Sequence, residues 1–247
     1  MNVDEWFGLN KRHLARTLLR LTGFVQPLER RPLSLPEQAG LINVMWPIVE
    51  DARLTSGELA RGFYDSERER MTGSIDRHDL YVADYRYEWF VEDIADSVDR
   101  LSGDYTVVTD NGAELTSRTG KNAGAGVLAE VMKIVDDGGR ETVAKAVEDD
   151  PLALGWARIA GGSESCSFCT ILISRGPVYA DSEAAGAMKA YHRYCDCRSV
   201  PVFNRDQWPG RDQYLEAEQQ YVQASKDAKE AGVSVETMLR RKIEGRA

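Results

Sequence analysis

The chain has 247 residues, of which 43% are hydrophobic and 29% are charged, and its formal net charge is -9. This length and composition are typical of a globular protein with a sizeable hydrophobic core, organised as one large domain or two small ones. The acidic balance disfavours a dedicated nucleic-acid-binding protein, because such a protein needs a basic surface to displace counterions from the phosphates.

Membrane and targeting segments are not expected. No apolar run approaches the roughly 20 residues that a transmembrane helix needs. Near the N-terminus, Asp4 and Glu5 precede the basic residues, and the sequence lacks the apolar core of a secretory signal. We therefore expect a soluble protein that is made in a cytoplasm.

Helical periodicity dominates the beginning of the chain. Apolar residues recur at helical spacing from Asp4 to Leu21, which predicts a first helix. Ser34 is a favourable N-cap for a second helix. Pro47 lies inside that second pattern and predicts a kink or a break into two helices.

The next segment is richer in aromatic residues. Alternation from Tyr81 to Tyr87 predicts a short strand, and the spacing from Glu88 onward predicts a helix. Two more helices are predicted on either side of Gly138–Gly139, because glycine is unfavourable inside helices. We therefore interpret residues 1–150 as an all-helical N-terminal domain.

Three glycines, Gly120, Gly124 and Gly126, lie before the first of those two helices. They follow no predicted strand, and the residue order of a phosphate-binding loop is absent. We interpret them as helix-end or close-packing positions and not as a nucleotide site.

The composition changes at Pro151. The run "LALGWARIAGG" predicts a strand or a helix end, "CSFCTILISRG" predicts a helix whose first turn holds two cysteines, and "CRSVPVF" predicts a strand. We interpret residues 151–205 as a small α+β domain that contains the cysteines and a histidine, and residues 206–247 as a charged helical C-terminal arm. The fold class expected for the whole chain is α+β.

The arm carries a narrow heptad seam, which suits packing against another helix. Its members, spaced seven residues apart in two sets, are Tyr214, Tyr221, Ala228 and Val235, and Ala217, Ala224, Ala231 and Met238. The seam is poor in large apolar residues, so light packing on its own domain and binding of a partner both remain open.

All four cysteines and one of the three histidines lie in two short segments, Cys166-Ser-Phe-Cys169 and His192-Arg-Tyr-Cys195-Asp-Cys197. Two residues between cysteines is the commonest zinc-knuckle spacing, because a tight turn then points both thiolates into one site. Zinc takes four ligands, and five candidates are present. We expect Cys166, Cys169, His192 and either Cys195 or Cys197 to bind a structural zinc ion.

Other chemistries use the same residues. Four cysteines can form disulfides, although a cytoplasmic protein of this size seldom relies on them. A redox Cys-x-x-Cys pair would leave the second cysteine segment unexplained. A cysteine nucleophile, Cys166 or Cys169, would need His192 as its base. Chance burial of small side chains accounts poorly for the clustering.

The cysteine region resembles the C-terminal region of the MuF-like minor capsid proteins, which are head morphogenesis proteins of tailed bacteriophages. Those domains carry a Cys-x-x-Cys element, an Arg-Gly turn with an aromatic residue shortly after it, and a His-x-x-Cys-x-Cys segment that leads into a strand. The resemblance covers roughly residues 151–205. The matching positions are Cys166, Cys169, Arg175, Gly176, Tyr179, His192, Cys195, Cys197, Pro201 and Phe203. The proline that often lies beside the histidine in that family is absent from "AYHRYC".

The resemblance implies a virion protein that lies in the capsid interior after assembly in the host cytoplasm. MuF-like proteins associate with the portal protein, are packaged inside the procapsid, and aid head assembly or DNA delivery. The implied partners are therefore the portal protein and other head proteins, with non-specific contact to packaged DNA and no membrane contact. Because some relatives are labelled capsid maturation proteases, a peptidase that uses Cys166, Cys169 and His192, or a metal, is the alternative function.

Overall fold

The computed structural model of the protein describes residues 1–26, 33–75, 85–99, 105–108, 114–117, 123–162, 165–178 and 195–245. Within these ranges the protein is α+β and mostly helical, which confirms the predicted fold class. Its elements in chain order are α1 (Val3–Val25), α2 (Leu35–Thr72), α3 (Tyr87–Asp99), β1 (Tyr105–Val108), β2 (Glu114–Ser117), α4 (Ala123–Asp149), β3 (Gly155–Ile159), α5 (Ser167–Ile173), β4 (Arg198–Val202), α6 (Arg211–Ala231) and α7 (Val235–Glu244). Among the described residues, no helix combines the length and the apolar character that crossing a membrane requires.

The chain divides into two compact units. The first unit consists of Met1–Phe7, Gly57–Val82 and Gly139–Ala247, and the second unit consists of Gly8–Ser56 and Ala83–Gly138. Three of the four unit boundaries fall inside α1, α2 and α4. The three-domain division at residues 150 and 205 stays a prediction.

The long helix α2 begins where the sequence predicts it. The backbone N–H and the hydroxyl of Ser34 donate to the Glu37 carboxylate at 2.9 and 2.7 Å, and the first of these bonds is one half of a capping box. A break into two helices at Pro47 is wrong, since α2 continues through that residue for 38 residues in all. Met45 and Val49 on either side of the proline are fully buried, and their burial offsets the roughly 3 kcal/mol that an internal proline costs.

Helix α4 also runs through a predicted break, at Gly138 and Gly139. A Cβ at Gly138 would lie 2.5 Å from the backbone oxygen of Arg53 on α2. The Arg53 side chain in turn donates from Nη1 to the backbone oxygen of Ile134 at 2.6 Å. Gly138 is therefore a close-packing point between α2 and α4, and that packing outweighs the roughly 1 kcal/mol helix cost of a glycine.

An apolar core fills the second unit. It includes Leu21 from α1, Met45 from α2 and Val131 from α4, all fully buried. Gly124 lets α4 approach α1, because a Cβ there would lie only 3.0 Å from the backbone oxygen of Val25. This contact confirms the interpretation of Gly124 as a close-packing residue.

Helix α3 confirms the helix predicted from Glu88 onward. Tyr87 begins α3, and its hydroxyl donates to Asn43 Oδ1 on α2 at 2.6 Å. The predicted strand from Tyr81 to Tyr87 falls mainly on residues outside the described ranges.

A short antiparallel sheet of β1 and β2 belongs to the second unit, with Val107 opposite Leu115. The prediction that the first 150 residues are all helical is wrong at this point. Each strand has only four residues, and such a short run carries too little alternation to be recognised from the sequence.

The first unit contains the second antiparallel sheet, in which Trp156 of β3 lies opposite Pro201 of β4. Every residue of both strands is buried. Strand β4 confirms the strand predicted from "CRSVPVF", and β3 shows that "LALGWARIAGG" forms a strand and not a helix end. Trp6 and Phe63 stack with ring centroids 4.5 Å apart and belong to the same core as Trp156. The sheet is therefore an interior element whose position is set by helices on either side of it in the sequence.

The C-terminal arm consists of α6 and α7. Gly232 ends α6 with a φ of +66°, and the Ser234 hydroxyl caps α7 by accepting from the Thr237 N–H at 3.1 Å. The seam residues Ala217 and Ala224 are buried, and α6 contacts both α5 and α7. The seam is therefore used for packing within the first unit.

A buried ion pair fixes the end of α4. Arg68 Nε and the Tyr64 hydroxyl both donate to Asp150 Oδ2, at 2.7 and 2.9 Å, and the Leu152 N–H donates to Asp150 Oδ1 at 3.0 Å. Burial alone would raise the pKa of Asp150, but these hydrogen bonds outweigh it and hold that pKa below its ordinary value. Asp150 therefore remains a carboxylate that orients the chain between α4 and β3.

We expect Gly138→Ala to destabilise the protein by about 1–3 kcal/mol, because the added methyl group would overlap the main chain of α2. Gly126→Ala is the matched control on the same helix. It has open space around it and should be neutral or stabilise the protein by up to about 1 kcal/mol. Urea denaturation measures both variants, and equal effects would contradict the close-packing role of Gly138.

We expect Asp150→Asn to lower the free energy of unfolding by about 3 kcal/mol, since it removes the carboxylate from a buried ion pair. The neighbouring change Asp149→Asn is the control. It removes a 45% exposed carboxylate that lies 3.6 Å from Lys145, and it should cost less than about 1 kcal/mol.

The ion pair of Arg68 and Asp150 also predicts how the stability of the protein depends on pH. Because the folded pKa of Asp150 is lowered, its stabilisation is present above the unfolded value of about 3.9 and is lost as the pH falls through the folded value. Thermal unfolding of the wild type should therefore weaken more steeply in acid than that of Asp150→Asn. Parallel acid profiles for the two proteins would show that Asp150 contributes nothing through its charge.

Candidate metal centre

Two of the cysteines lie at the start of α5. Cys166 is the N-cap residue with extended backbone, and its Sγ accepts a hydrogen bond from the Cys169 N–H at 3.4 Å. Cys169 lies in the first turn and is buried. The sequence predicts a helix whose first turn holds these two residues, and α5 confirms it.

The other two cysteines immediately precede β4. Cys197 is fully buried, and Cys195 is half-buried. Residues two apart in an extended chain point to the same side, so both thiols can reach one site. Pairing of Arg198 with Ile159 at the end of β3 fixes where this segment enters the sheet.

The sulfurs of the two cysteine segments lie close together. Cys169 Sγ lies 3.5 Å from Cys195 Sγ and 3.8 Å from Cys197 Sγ, and the sulfurs of Cys195 and Cys197 are 2.9 Å apart. Cys166 packs against this group. None of the four cysteines forms a disulfide in this structure. We call these four residues the cysteine cluster.

Arg140 of α4 holds the second cysteine pair through the main chain. Its guanidinium donates from Nε to the Cys197 carbonyl oxygen at 3.0 Å and from Nη2 to the Cys195 carbonyl oxygen at 2.6 Å. Arg140 is 1% exposed, so its charge lies inside the protein. A buried arginine therefore positions both cysteines and places a permanent positive charge beside their sulfurs.

A second buried guanidinium approaches the cluster from β3. Arg158 Nη1 lies 3.9 Å from Cys197 Sγ and donates toward it. The same side chain is 1% exposed, and its guanidinium carbon lies 5.8 Å from the ring centroid of Trp156. Both arginines favour the thiolate form of nearby cysteines.

The loop after β3 packs closely on Asp196, the residue between Cys195 and Cys197. A Cβ at Gly161 would lie 2.5 Å from the Asp196 backbone oxygen, and a Cβ at Gly162 would overlap the Asp196 carboxylate. Only glycines permit this approach. Burial raises the pKa of Asp196, and the charge of Cys195 adds to that effect.

The thiols differ in their acidity. Hydrogen bonds from Cys169 and Cys197 lower the pKa of Cys195 to about 2, and the charge of Arg140 acts in the same direction. Hydrogen bonds to Cys166, Cys195 and Cys197 raise the pKa of Cys169, and burial adds to the rise. These contacts therefore favour a thiolate at Cys195 over one at Cys169.

Four of the five predicted ligand residues come together in the cysteine cluster. The fifth, His192, lies outside the described residues, so its role stays a prediction. The same holds for the Cys166, Cys169 and His192 set of the peptidase alternative.

Sequence reasoning missed Arg140, Arg158 and the two glycines after β3. The glycines had a detectable signal, because a Gly-Gly pair directly after a predicted strand is typical of close backbone approach. The arginines had none, since their neighbours in the sequence say nothing about the cysteines that they contact.

The arrangement is suited to binding a soft metal ion. The sulfurs of Cys169, Cys195 and Cys197 all lie within 4.8 Å of one another, so one ion could contact all three. Thiolates select zinc and other soft ions. A dithiol redox pair would need only Cys166 and Cys169, whereas here Cys169 also contacts the second segment.

Comparison with known sequences places the chain in a family. The sequence model of the VG15 protein family matches residues 15–224, a span that includes the whole cysteine cluster. The chain belongs to the VG15 protein family. This is a family of bacteriophage proteins.

Two curated relatives are both named Gene 15 protein. The chain is 30% identical over 243 residues to the relative from Mycobacterium phage D29, with 84% of each chain covered. It is 29% identical over 235 residues to the relative from Mycobacterium phage L5, with 79% of this chain and 76% of the relative covered. No solved structure matches the chain significantly.

Proposed function

We propose that this VG15 protein is a minor capsid protein that acts in phage head morphogenesis, and that its cysteine cluster is a structural zinc site. The protein would be packaged inside the procapsid and would contact the portal protein. Membership in a bacteriophage family and the MuF-like pattern of residues 151–205 support this function. The observation that carries it is the convergence of Cys169, Cys195 and Cys197 from the two ends of that pattern.

Two of the three sulfur–sulfur distances in the cluster suit zinc. A tetrahedral zinc ion with bonds of about 2.3 Å to sulfur places its ligand sulfurs roughly 3.8 Å apart. Cys169 lies 3.5 Å from Cys195 and 3.8 Å from Cys197, sulfur to sulfur, whereas Cys195 and Cys197 are 2.9 Å apart and would have to separate on binding. The bound ion would supply a cross-link between α5 and the segment before β4, and its binding energy would become folding energy.

A structural role suits the cluster better than peptide hydrolysis. A cysteine nucleophile must present an exposed thiolate to a substrate. Of the two candidate nucleophiles, Cys169 is buried and its sulfur contacts those of Cys195 and Cys197, and the half-buried Cys166 accepts the Cys169 N–H. Attack on a peptide carbonyl by either sulfur would break these contacts.

The acidic charge suits a protein that lies inside a DNA-filled head. A net charge of -9 weakens non-specific attraction to DNA, so specific contacts with the portal protein can dominate its position. Contact with packaged DNA would then be weak and salt-sensitive.

We expect protein purified without chelator to carry about one zinc ion per chain, because the cluster offers ligands for one tetrahedral ion. Metal analysis gives the stoichiometry, and thiol titration should find the cysteines unreactive until a chelator is added. Absence of metal, with all four thiols free and one of them unusually reactive, would contradict the structural site and favour a cysteine enzyme.

We expect the protein to be present in procapsids and to co-purify with the portal protein. The test compares phage carrying the wild-type gene, Cys169→Ser and His192→Ala, by quantitative mass spectrometry of purified heads. Cys169→Ser should lower the amount of the protein in heads at least about tenfold. Loss of the metal cross-link between α5 and the segment before β4 would unfold this part of the chain. Wild-type protein that is absent from heads would refute the head-protein function.

The same phages distinguish the peptidase alternative from the minor-capsid function. In a peptidase, His192→Ala would leave incorporation and thermal stability unchanged while abolishing cleavage of a head protein. The minor-capsid function predicts unchanged cleavage patterns wherever the variant is incorporated.

A further inference from the structure

We infer that all four cysteine thiolates bind the metal ion and that the buried guanidiniums of Arg140 and Arg158 neutralise the charge of the occupied site. This inference rests on the proposed zinc site and names its ligands and its charge partners. It differs from the set expected from the sequence, which includes His192 in place of one cysteine.

The fourth ligand is Cys166. It is separated from Cys169 by two residues, and its Sγ already accepts the Cys169 N–H. Its side chain packs against the buried Cys169 and Cys197. The first turn of α5 presents Cys169 to the pair that precedes β4. The Cys166 sulfur lies outside the group of three sulfurs within 4.8 Å of one another, so it would have to turn toward the ion on binding.

Two buried arginines match the charge of an ion bound by four thiolates. A divalent ion with four thiolates carries two negative charges, and burying them without compensation would be costly. Arg140 and Arg158 are each 1% exposed and supply two permanent positive charges.

The arginines contact the segment that they neutralise. Arg140 donates to the carbonyl oxygens of Cys195 and Cys197, and Arg158 Nη1 lies 3.9 Å from Cys197 Sγ. Asp196 and the buried Arg198 lie in the same segment and contribute one charge of each sign, so they leave the balance unchanged. Groups that contact the ligands of a metal ion, as Arg140 and Arg158 do here, orient those ligands and raise the metal affinity.

The ligand set is tested first on the wild-type protein. Zinc-loaded and chelator-treated samples are alkylated, and mass spectrometry follows each cysteine separately. We expect zinc to protect Cys166 to the same degree as Cys169, Cys195 and Cys197. Equal alkylation of Cys166 with and without zinc would overturn the four-thiolate set.

Cobalt substitution provides the second measurement. The near-ultraviolet charge-transfer absorption per cobalt grows with the number of bound thiolates, so Cys166→Ser should lower it by about one quarter in a four-ligand site. His192→Ala should retain the full absorption and one ion per chain. Loss of cobalt binding or of absorption in His192→Ala would overturn the inference while leaving the proposed zinc site intact.

The charge partners are tested by metal affinity. Arg140→Met and Arg158→Met should each raise the zinc dissociation constant about 10–100-fold in a chelator competition. Arg53→Met is the matched control, because Arg53 is also buried and donates to a main-chain carbonyl, that of Ile134 in the second unit. It should leave zinc affinity unchanged.

Arg140→Lys and Arg158→Lys keep the charge and should recover part of the lost affinity even if a methionine variant folds poorly. Zinc affinities in Arg140→Met and Arg158→Met equal to that of Arg53→Met would overturn the role of the arginines. Wild-type protein without any metal would instead refute the proposed zinc site itself.

Discussion

The arrangement of the first unit depends on the two hydrogen bonds that Arg140 donates to the main chain of Cys195 and Cys197. They join α4 to the start of β4 across 57 and 55 residues of sequence. One guanidinium can hold both carbonyl oxygens because its donors form a rigid planar fork. With the main chain held in this way, the two side chains meet Cys169 of α5. The position of the cluster is therefore decided by a helix that contributes no sulfur to it.

Buried charge is the organising feature of this unit. Arg68 and Asp150 form an ion pair at the end of α4, and Arg140 and Arg158 lie beside the sulfurs. A buried guanidinium is tolerated only when hydrogen bonds and opposite charge compensate for its lost hydration. Such groups specify one arrangement of the elements around them, because any other packing would leave a charge without compensation. The first unit therefore combines buried polar contacts with an apolar core that includes Trp156.

The contacts that hold the cysteine cluster extend beyond the segment that resembles MuF-like proteins. That resemblance covers roughly residues 151–205, whereas Arg140 belongs to α4, which ends at Asp149. The arm on the other side also takes part, because α6 packs on α5, the helix that carries Cys169. The cysteine motif alone would not show that residues outside it position the sulfurs.

The sequence by itself determined where most helices, the strand β4 and the two cysteine segments lie, because helical and alternating periodicity and Cys-x-x-Cys spacing are local properties of the chain. Local rules failed at Pro47 and Gly138, where packing of distant residues overrides the cost of a proline or a glycine in a helix. The short strands β1 and β2 were missed because four residues show too little alternation. Only the tertiary structure decided which sulfurs meet and that Arg140 holds them. Contacts between residues more than fifty positions apart leave no periodic signal, and they form only when burial brings α4, α5 and β4 together.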